Sequence, residues 1–206
     1  MRLGYSIKRA IDISAAAGGL LVAAPMMAAI AAAIALDSPG GVLFSQERIG
    51  RHGRVFKLLK FRTMKPAPIR YQEDGSTRID PEDDRITRVG RYLRGALDEL
   101  PQLLNVLRGE MSLVGPRPEM ASQRHMYTPE LERKLDVRPG LTSLAIVLGR
   151  GSIPWRQRVE IDLCYIDQWS LWLDARILLR TALMPLGLRP FQFGDVVPIL
   201  EAENHA

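Results

Sequence analysis

The amino-acid sequence indicates an α+β fold that is mostly α-helical, and three features indicate it. Residues 13–36 form one apolar segment that contains no charged residue. Two short runs typical of strands, 42–46 and 55–60, flank a basic turn that contains glycine. Much of the remaining chain places apolar residues at the three- and four-residue spacing of helices.

Composition limits the size of the fold, the partners and the cross-links of the chain. The 206 residues are enough for one domain with a sizeable core. The net charge of +5 indicates an anionic partner, such as nucleic acid, anionic lipid or a phosphorylated substrate. A single cysteine, Cys164, excludes an internal disulfide, and the three histidines are too scattered to predict a metal cluster.

The apolar segment exceeds the roughly 20 residues needed to cross a bilayer. A cleaved signal peptide, a spanning helix and a re-entrant hairpin are all compatible with its length. Basic residues lie on both sides of it, namely Arg2, Lys8 and Arg9 before it and Arg48, Arg51, Arg54 and Lys57 after it. Positive charge prefers the cytoplasmic side, and Pro25 breaks or bends a helix at mid-segment, so both features favour the hairpin.

Several basic stretches follow. The turn at 50–54 is interpreted either as a solvated hairpin turn or as a contact to lipid phosphate. Lys60 and Arg62 lie close together after the second strand. Residues 65–84 indicate a solvated acidic loop, in preference to a metal site formed by its aspartates. Arginines then recur at every third position of a predicted amphipathic helix over 85–94, at Arg85, Arg88, Arg91 and Arg94. This cationic stripe is either solvated or directed at phosphate.

Residues 98–119 concentrate the chemistry. Asp98 and Glu99 are adjacent carboxylates at the start of a predicted helix, where Asp98 is a suitable N-cap and Pro101 fits the first turn. Such a carboxylate serves as a cap, attacks phosphorus or holds a divalent cation. Pro116, Arg117 and Pro118 predict a stiff turn with one positioned guanidinium, a group that suits phosphate.

The C-terminal part is predicted to be largely helical. Residues 119–136 indicate a surface helix, 138–142 a loop, and 154–184 a helical region that contains all three tryptophans. This region is either an interfacial helix at a bilayer or a buried core helix. Asp162 and Asp174 interrupt its apolar pattern, and each therefore needs a polar partner.

A family resemblance rests on these residues. Asp98–Gln102, Asn105–Leu107 and Met111–Glu119 resemble the signature of the bacterial sugar transferases, the monotopic phosphoglycosyl transferases that load a sugar phosphate onto a polyprenol phosphate. Further pieces agree in order: Lys8-Arg9 with Asp12, and residues 44–50, 60–64, 85–91 and 137–140. The resemblance covers roughly residues 5–185. The sequence departs from the family at Ser143–Leu148, which is largely aliphatic where the family has polar and aromatic residues.

The resemblance implies a re-entrant anchor at 1–37 that kinks at Pro25, followed by a cytoplasmic, interfacial catalytic domain at 38–206 with amphipathic helices. It implies location on the cytoplasmic face of a bacterial inner membrane. The expected reaction transfers phospho-sugar from a UDP-sugar to polyprenol phosphate and releases UMP. Asp98 is the expected nucleophile, and Asp98 and Glu99 are expected to hold Mg²⁺. The candidate substrate-binding residues are Lys60, Arg62, Arg88, Pro116, Arg117, Pro118 and Asp174.

Two other functions fit parts of the sequence. A metal-dependent phosphohydrolase would use the same carboxylates, and a non-catalytic lipid- or nucleic-acid-binding module would explain the positive charge. We expect no nucleic-acid partner, because the basic stretches lack both a nucleic-acid-binding signature and interleaved aromatic residues. The sequence does not indicate an oligomeric state.

Overall fold

The computed structural model describes residues 2–65, 83–149 and 153–188, together with Phe191, Phe193, Gly194, Val196 and Val197. Within these residues the helices are α1 (Arg2–Asp37), α2 (Arg88–Leu93), α3 (Gln102–Arg108), α4 (Pro129–Glu132), α5 (Leu144–Gly149), α6 (Trp155–Asp167) and α7 (Leu171–Leu183). The strands are β1 (Leu43–Ile49), β2 (Val55–Phe61), β3 (Ser112–Val114) and β4 (Gly140–Thr142). The mostly helical α+β prediction is confirmed. Most of the predicted acidic loop at 65–84, and most of the tail after residue 193, lie outside the described residues.

Helix α1 is one continuous helix of 36 residues, about 54 Å long at the standard rise. Pro25 lies inside it and does not end it, so the helix-break-helix that the resemblance implies is not observed. Pro25 is exposed, and because it has no N–H the helix lacks the hydrogen bond that this position would donate to the Leu21 carbonyl. The helix is long and apolar enough to cross a membrane by length and composition.

One face of α1 packs on the rest of the molecule along most of its length. Asp12, Ala16, Ile30 and Ile34 are buried on this face. Near its start, Arg9 donates to the carbonyls of Val106 and Leu107, and at its end the Asp37 carboxylate accepts the Val89 N–H. Both ends of the helix therefore contact the same globular body, while the opposite face exposes apolar residues, among them Ile13, Leu21, Val22, Met26 and Leu36.

Strands β1 and β2 form the predicted antiparallel hairpin, with Leu43 opposite Phe61 and Ile49 opposite Val55. A 3₁₀ turn at Arg51–Gly53 joins them, and His52 and Gly53 have positive φ angles of 58° and 72°. Because side chains alternate along a strand, Phe56 and Leu58 share one face. That face packs into a core cluster with Ala16 of α1 and with residues of and just after α3, namely Leu103, Val106 and Met111.

Strands β3 and β4 form a second, parallel pair next to the turn at Pro116. The sequence patterns did not predict this pair. Ser112 pairs with Gly140 and Val114 with Thr142. The backbones at Gly115 and Gly140 approach so closely that a Cβ at Gly140 would lie 2.1 Å from the Gly115 nitrogen. Only glycine fits there, and the close pairing fixes the direction in which the chain leaves β3.

Helices α6 and α7 replace the single helical region expected at 154–184. The helices separate at Gln168–Ser170, where the Ser170 hydroxyl accepts the Leu173 N–H and caps α7. Their inner faces form the largest buried cluster, which includes Leu144, Val114, Ile161, Tyr165, Leu173 and Ile177. The outer face of α7 and the segment after it expose Trp172, Leu179, Leu186 and Leu188.

Two predicted helices are shorter than expected. Helix α2 begins at Arg88, because Thr87 accepts the Gly90 N–H and caps it, so Arg85 lies outside the helix and pairs with Asp83. The surface helix expected at 119–136 is instead a series of short turns around α4, two of them 3₁₀. Lys134 within this series is buried, which excludes a purely surface role.

Candidate active site

Asp98 lies in a 3₁₀ turn, Leu97–Glu99, between α2 and α3, and is only 9% exposed. Gly95 precedes this turn with a φ of 104°, a left-handed conformation that glycine adopts without strain. Its N–H donates to Asp98 Oδ1 at 3.1 Å. The expected N-cap role is wrong: Pro101 occupies the cap position of α3, and the Asp98 carboxylate accepts an N–H that precedes it.

Lys60 reaches the carboxylate pair from the end of β2. It follows Phe56 and Leu58 at two-residue spacing, so it lies on the same face of the strand, at the edge of the core. Its Nζ lies 2.5 Å from Glu99 Oε1 and 4.0 Å from Asp98 Oδ2. Lys60 is therefore hydrogen-bonded to Glu99 and contributes mainly through-space attraction to Asp98.

The surroundings of Asp98 raise the pKa of its carboxyl above the ordinary value of 3.8. Burial is the largest cause, and the negative charge of Glu99 adds to it. The Lys60 ammonium and the Gly95 N–H act in the opposite direction. Asp98 is thus a carboxylate whose charge is poorly solvated, an environment common at reactive groups.

A cavity of about 840 Å³ opens beside this pair. Gly95, Ala96 and Glu99 line it, whereas Asp98 itself is buried next to Glu99 and does not line it. Three cations also line it, Arg94, Arg117 and Arg158, and none of them forms an ion pair with another residue that the structure describes. The rest of the wall is largely apolar and includes Leu103, Leu113, Leu141, Ile146 and Leu178. Such a cavity suits a ligand with an anionic end and a less polar body.

The aliphatic departure at 143–148 contributes to this wall. Ala145 and Ile146 line the cavity, in contrast to the family's usual polar composition at this stretch. Leu144 and Val147 point instead into the core. Ala145 and Ile146 thus form part of the surface that a bound ligand would meet, and Leu144 and Val147 form part of the packing behind it.

Arg117 is held by its neighbours. Pro116 and Pro118 are buried on either side of it, and the Pro116 carbonyl accepts the Gly140 N–H of β4 at 2.9 Å. The Arg117 N–H lies 3.3 Å from Asp162 Oδ2. The backbone at Arg117 is thus fixed from two sides, which leaves its guanidinium directed to the cavity.

A buried ion cluster lies behind this turn. Lys134 Nζ lies 2.9 Å from Asp162 and 3.1 Å from Glu119, and all three side chains are buried. Burial raises the pKa of Asp162 despite Lys134. For Glu119 burial is the largest single effect and raises the pKa, but the charge and hydrogen bond of Lys134, together with the charges of Arg117 and Arg158, outweigh it and lower the pKa. Lys134 is therefore the partner that Asp162 required, and no sequence pattern singled it out.

Two predicted substrate-binding residues are engaged elsewhere. Arg62 is buried and donates to the carbonyls of Ser38 and Pro39, which fixes the chain after α1. Asp174 accepts hydrogen bonds from Lys8 at 2.6 Å, Tyr165 at 2.7 Å and Trp169 at 3.2 Å. Neither residue lines the cavity beside Glu99. The described contacts of both residues join distant parts of the chain, and their substrate-binding roles stay predictions.

Arg88 lies at the first position of α2 and is exposed, without a described hydrogen bond or ion pair. It does not line the cavity either, whereas Arg94 from the same predicted stripe does. Of the two, only Arg94 is therefore placed at the cavity, and the substrate-binding role of Arg88 stays a prediction.

Asn105 is part of the signature that the sequence showed, but no role was predicted for it, and the structure makes it a positioning residue. Its side chain is fully buried and joins α3 to β2: Nδ2 donates to the Lys57 carbonyl at 2.8 Å, and Oδ1 accepts the Leu59 N–H at 3.1 Å. A second donation goes to Glu110 at 2.6 Å. These bonds set β2, and hence Lys60, against the turn that contains Asp98.

Asp98 and Glu99 fit a metal site in which the substrate supplies some of the ligands. Among the described residues, no group of three or more histidine, cysteine or acidic side chains could hold a metal ion. Mg²⁺ bound with a phosphorylated substrate needs only one or two carboxylates, because phosphate oxygens and waters complete its shell. Asp98 and Glu99 meet that requirement, so they fit a cation that arrives with a diphosphate.

Comparisons with known proteins bear on the whole chain. A family model described as bacterial sugar transferase matches residues 3–187. The UDP-glucose:undecaprenyl-phosphate glucose-1-phosphate transferase of Caulobacter vibrioides is 49% identical over 185 residues, which cover 84% of this chain and 67% of that protein. The exopolysaccharide production protein ExoY of Rhizobium meliloti is 40% identical, covering 87% and 85%. A transferase with the same description as the first, from Escherichia coli, is 41% identical, covering 85% and 39%.

Proposed function

The chain belongs to the bacterial sugar transferase family and is a phosphoglycosyl transferase, and from this premise we propose that it transfers phospho-sugar from a UDP-sugar to a polyprenol phosphate. The products are UMP and the polyprenyl diphosphate sugar. Relatives whose names specify UDP-glucose and undecaprenyl phosphate support this substrate class. The central observation is the adjacent pair of a buried Asp98 and Glu99, where Glu99 lines a cavity together with three arginines that have no ion-pair partner among the described residues.

We propose a two-step reaction at Asp98. An Asp98 oxygen attacks the sugar-proximal phosphorus of the donor, the bond from that phosphorus to the bridging oxygen breaks, and UMP leaves with the electron pair. This gives an acyl phosphate that carries the sugar. A phosphate oxygen of the polyprenol phosphate then attacks the same phosphorus, and the Asp98 carboxylate is released. No net proton is consumed when both phosphates react as their anions.

The chain's cations act on the charge of both substrates. Each step brings an anionic nucleophile to an anionic phosphorus, so repulsion forms much of the barrier. Arg94, Arg117 and Arg158 line the cavity and would contact the phosphate oxygens. Lys60 holds Glu99 and keeps positive charge beside Asp98. Mg²⁺, held by Asp98 and Glu99 when bound with the donor, would neutralise part of the diphosphate charge.

We further propose that the enzyme is monotopic, with residues 1–37 as anchor and 38–206 as an interfacial catalytic domain on the cytoplasmic face of the inner membrane. Both ends of α1 contact the globular body, so a spanning α1 would draw that body into the bilayer. The exposed apolar face of α1 and the exposed Trp172 and Leu179 of α7 are surfaces that a bilayer interface would cover. Ala16 lies in the core, so anchor and domain fold as one unit.

The decisive test is Asp98→Asn, which keeps the size of the side chain and its acceptor for the Gly95 N–H but removes the nucleophile. We expect loss of UMP release, by about four orders of magnitude or more, and no trapped ³²P-labelled phospho-sugar on the protein. Membrane association remains. Asp84→Asn, an exposed aspartate, is the matched control and should keep full activity.

Acceptor dependence separates transfer from hydrolysis. With UDP-sugar alone, a transferase releases at most one UMP per enzyme molecule, because the phospho-sugar stays on the protein. Addition of polyprenol phosphate starts continuous turnover. Continuous UMP release without the acceptor would identify a phosphohydrolase. Wild-type turnover in Asp98→Asn would refute the covalent mechanism.

A further inference from the structure

A second cavity, of about 480 Å³, lies at the N-terminal end of α1 and shares no lining residue with the catalytic cavity. Four cations line it: Lys8, Arg9, Arg51 and Arg138. Val114, Val137 and Ile166 form an apolar wall, and the stacked rings of Tyr5 and Trp169, with centroids 4.4 Å apart, stand on the rim. The proposed reaction uses none of these residues.

Hydrogen bonds to carbonyls fix three of these cations without neutralising them. Arg9 donates to Val106 and Leu107, and Arg138 donates through Nε to Gly109 at 2.8 Å. Arg51 donates through Nε to the Asp136 carbonyl at 2.8 Å. None of the three arginines forms an ion pair within the described part of the chain. The terminal nitrogens of Arg51 and Arg138 therefore keep donors available for a ligand.

The three guanidinium groups lie within one another's fields. Burial, and after it the charges of Arg9 and Arg51, lower the pKa of Arg138. Arg9 also approaches Gly109, where an added Cβ would lie 3.5 Å from the Arg9 Nη2, so Arg9 and Arg138 meet at that residue. Like charges collected at one place raise the energy of the empty cavity and favour a bound anion.

Asp12 and Asp136 offset part of this charge, but neither forms an ion pair with the three arginines in the described part of the chain. Lys8 is paired with Asp174 at 2.6 Å. Both oxygens of Asp12 are occupied, by the Ser112 hydroxyl at 2.8 Å and the Leu113 N–H at 3.0 Å. Asp136 is exposed, and the Arg51 bond goes to its carbonyl and not to its carboxylate. A carboxyl group therefore does not occupy the position that a ligand would take.

Capping of α3 is the simplest alternative role. Arg9 and Arg138 do bind carbonyls at the C-terminus of that helix, where cations are favourable. That role does not account for Arg51, which comes from the β1–β2 turn and contacts the segment before β4. Nor does it require an open cavity with an aromatic rim.

The position of this cavity along α1 indicates where the anion comes from. Arg9 lies one turn before Ile13, where the charge-free segment of α1 begins. With the exposed apolar face of α1 at the bilayer, the cavity lies at the depth of the lipid headgroups. Its cationic and apolar walls match a phosphate attached to a glycerol and an acyl chain. We propose that Arg9, Arg51 and Arg138 form a binding site for the phosphate of an anionic phospholipid, separate from the catalytic cavity.

The test uses the full-length protein in zwitterionic detergent and native mass spectrometry during titration with phosphatidylglycerol. The wild type should retain one phosphatidylglycerol in preference to phosphatidylcholine. Arg51→Gln should weaken this binding about fivefold, and Arg51→Gln with Arg138→Gln about 20-fold. Arg54→Gln removes the same charge three residues away, at an exposed side chain outside the cavity, and should bind like the wild type.

Competition with soluble glycerol 3-phosphate distinguishes the two sources of phosphate. If only phospholipid binds tightly, the membrane supplies the ligand, as proposed. If glycerol 3-phosphate displaces the lipid at equal concentration, the same site takes a soluble phosphate ester and the assignment to phospholipid is overturned. Equal weakening in Arg51→Gln and Arg54→Gln would show general electrostatic attraction, and unchanged binding in both cavity variants would show that the arginines take no part. Either of these results also overturns the proposal.

Arg51→Gln also provides a variant that leaves the α3 contacts intact, because its wild-type bond goes to the Asp136 carbonyl. Its UMP release with detergent-solubilised acceptor should equal that of the wild type. Loss of the lipid site would thus be separable from failure of the proposed transferase activity.

Discussion

Asp98 is a carboxylate whose surroundings oppose its charged form. The chain buries it and places Glu99 next to it, and both effects oppose its ionisation. Lys60 and the Gly95 N–H partly compensate, because both favour the charged form. In the proposed reaction, the balance among these neighbours sets the pH at which Asp98 becomes ionised and able to attack phosphorus.

Removal of Lys60 should move that pH. Lys60 lowers the pKa of Asp98, so in Lys60→Met the pKa rises further and less of the carboxylate is ionised at a given acidic pH. The acid limb of the kcat/KM profile, which reports the free enzyme, should therefore shift to higher pH. Lys57→Met, at an exposed position of the same strand, should leave the limb in place. An unchanged limb in Lys60→Met would contradict this account of Asp98.

Asp98→Asn should stabilise the fold at neutral pH while it abolishes activity. The folded-state pKa of Asp98 is raised, so the folded state binds the proton more tightly than the unfolded state, and wild-type stability falls as pH rises from 3.8 through the folded pKa. Asparagine avoids this cost. The variant should melt at a higher temperature than the wild type at pH 7, and the difference should shrink as the pH is lowered. A lower melting temperature at pH 7 would show that burial of the charged carboxylate does not destabilise the fold.

Among the elements, the turn after β3 depends most on buried polar contacts. Its backbone is held by the Gly140 N–H on one side and by Asp162 on the other. Lys134 joins Asp162 to Glu119 at the end of the turn. The position of Arg117 thus depends on a lysine 17 residues away in the chain, within a series of short helical turns.

Lys134→Met should be strongly destabilising. Without the ammonium, Glu119 and Asp162 remain buried without the cation that pairs with both of them, and breaking such a group typically costs about 3–5 kcal/mol. Chemical denaturation of the protein in detergent measures this loss. Lys57→Met, on the exposed side of β2, should change stability by less than about 0.5 kcal/mol. Similar effects of the two substitutions would contradict the proposed role of the cluster.

At the level of the molecule, one face of α1 belongs to the core and the other face is apolar and exposed. Its inner face joins the clusters around Leu103 and around Phe61, and its outer face remains uncovered. The outer face of α7 is also apolar and exposed. A single bilayer interface that covers these surfaces would leave the catalytic cavity accessible to a membrane-bound acceptor and to a dissolved donor.

A monotopic arrangement places both flanks of α1 on one side of the membrane. With Cys164 replaced by serine, we introduce single cysteines at the exposed positions Leu3 and Ser45. A membrane-impermeant maleimide should label both variants in inverted inner-membrane vesicles and neither in intact spheroplasts. Labelling of one position from each side would demonstrate a spanning helix.

Local patterns were sufficient for much of the fold. The apolar length of α1, the alternation in β1 and β2, and the helical spacing of α3, α6 and α7 each follow from which side chains must leave water. The signature around Asp98 also indicated the family, which the match over residues 3–187 shows. Proximity in the chain explains these successes, because each pattern lies within a few turns or one strand.

Contacts between distant segments determined the rest. Arg62 and Asp174 have the residue types of phosphate and metal ligands, yet their partners, Ser38 and Lys8, lie 24 and 166 residues away. The joining of α3 to β2 by Asn105, the burial of Lys134 and the position of Arg158 in the cavity wall likewise depend on packing across the chain. A charged side chain binds whichever opposite charge or carbonyl the folded chain brings within about 3 Å, and only the folded chain specifies that neighbour.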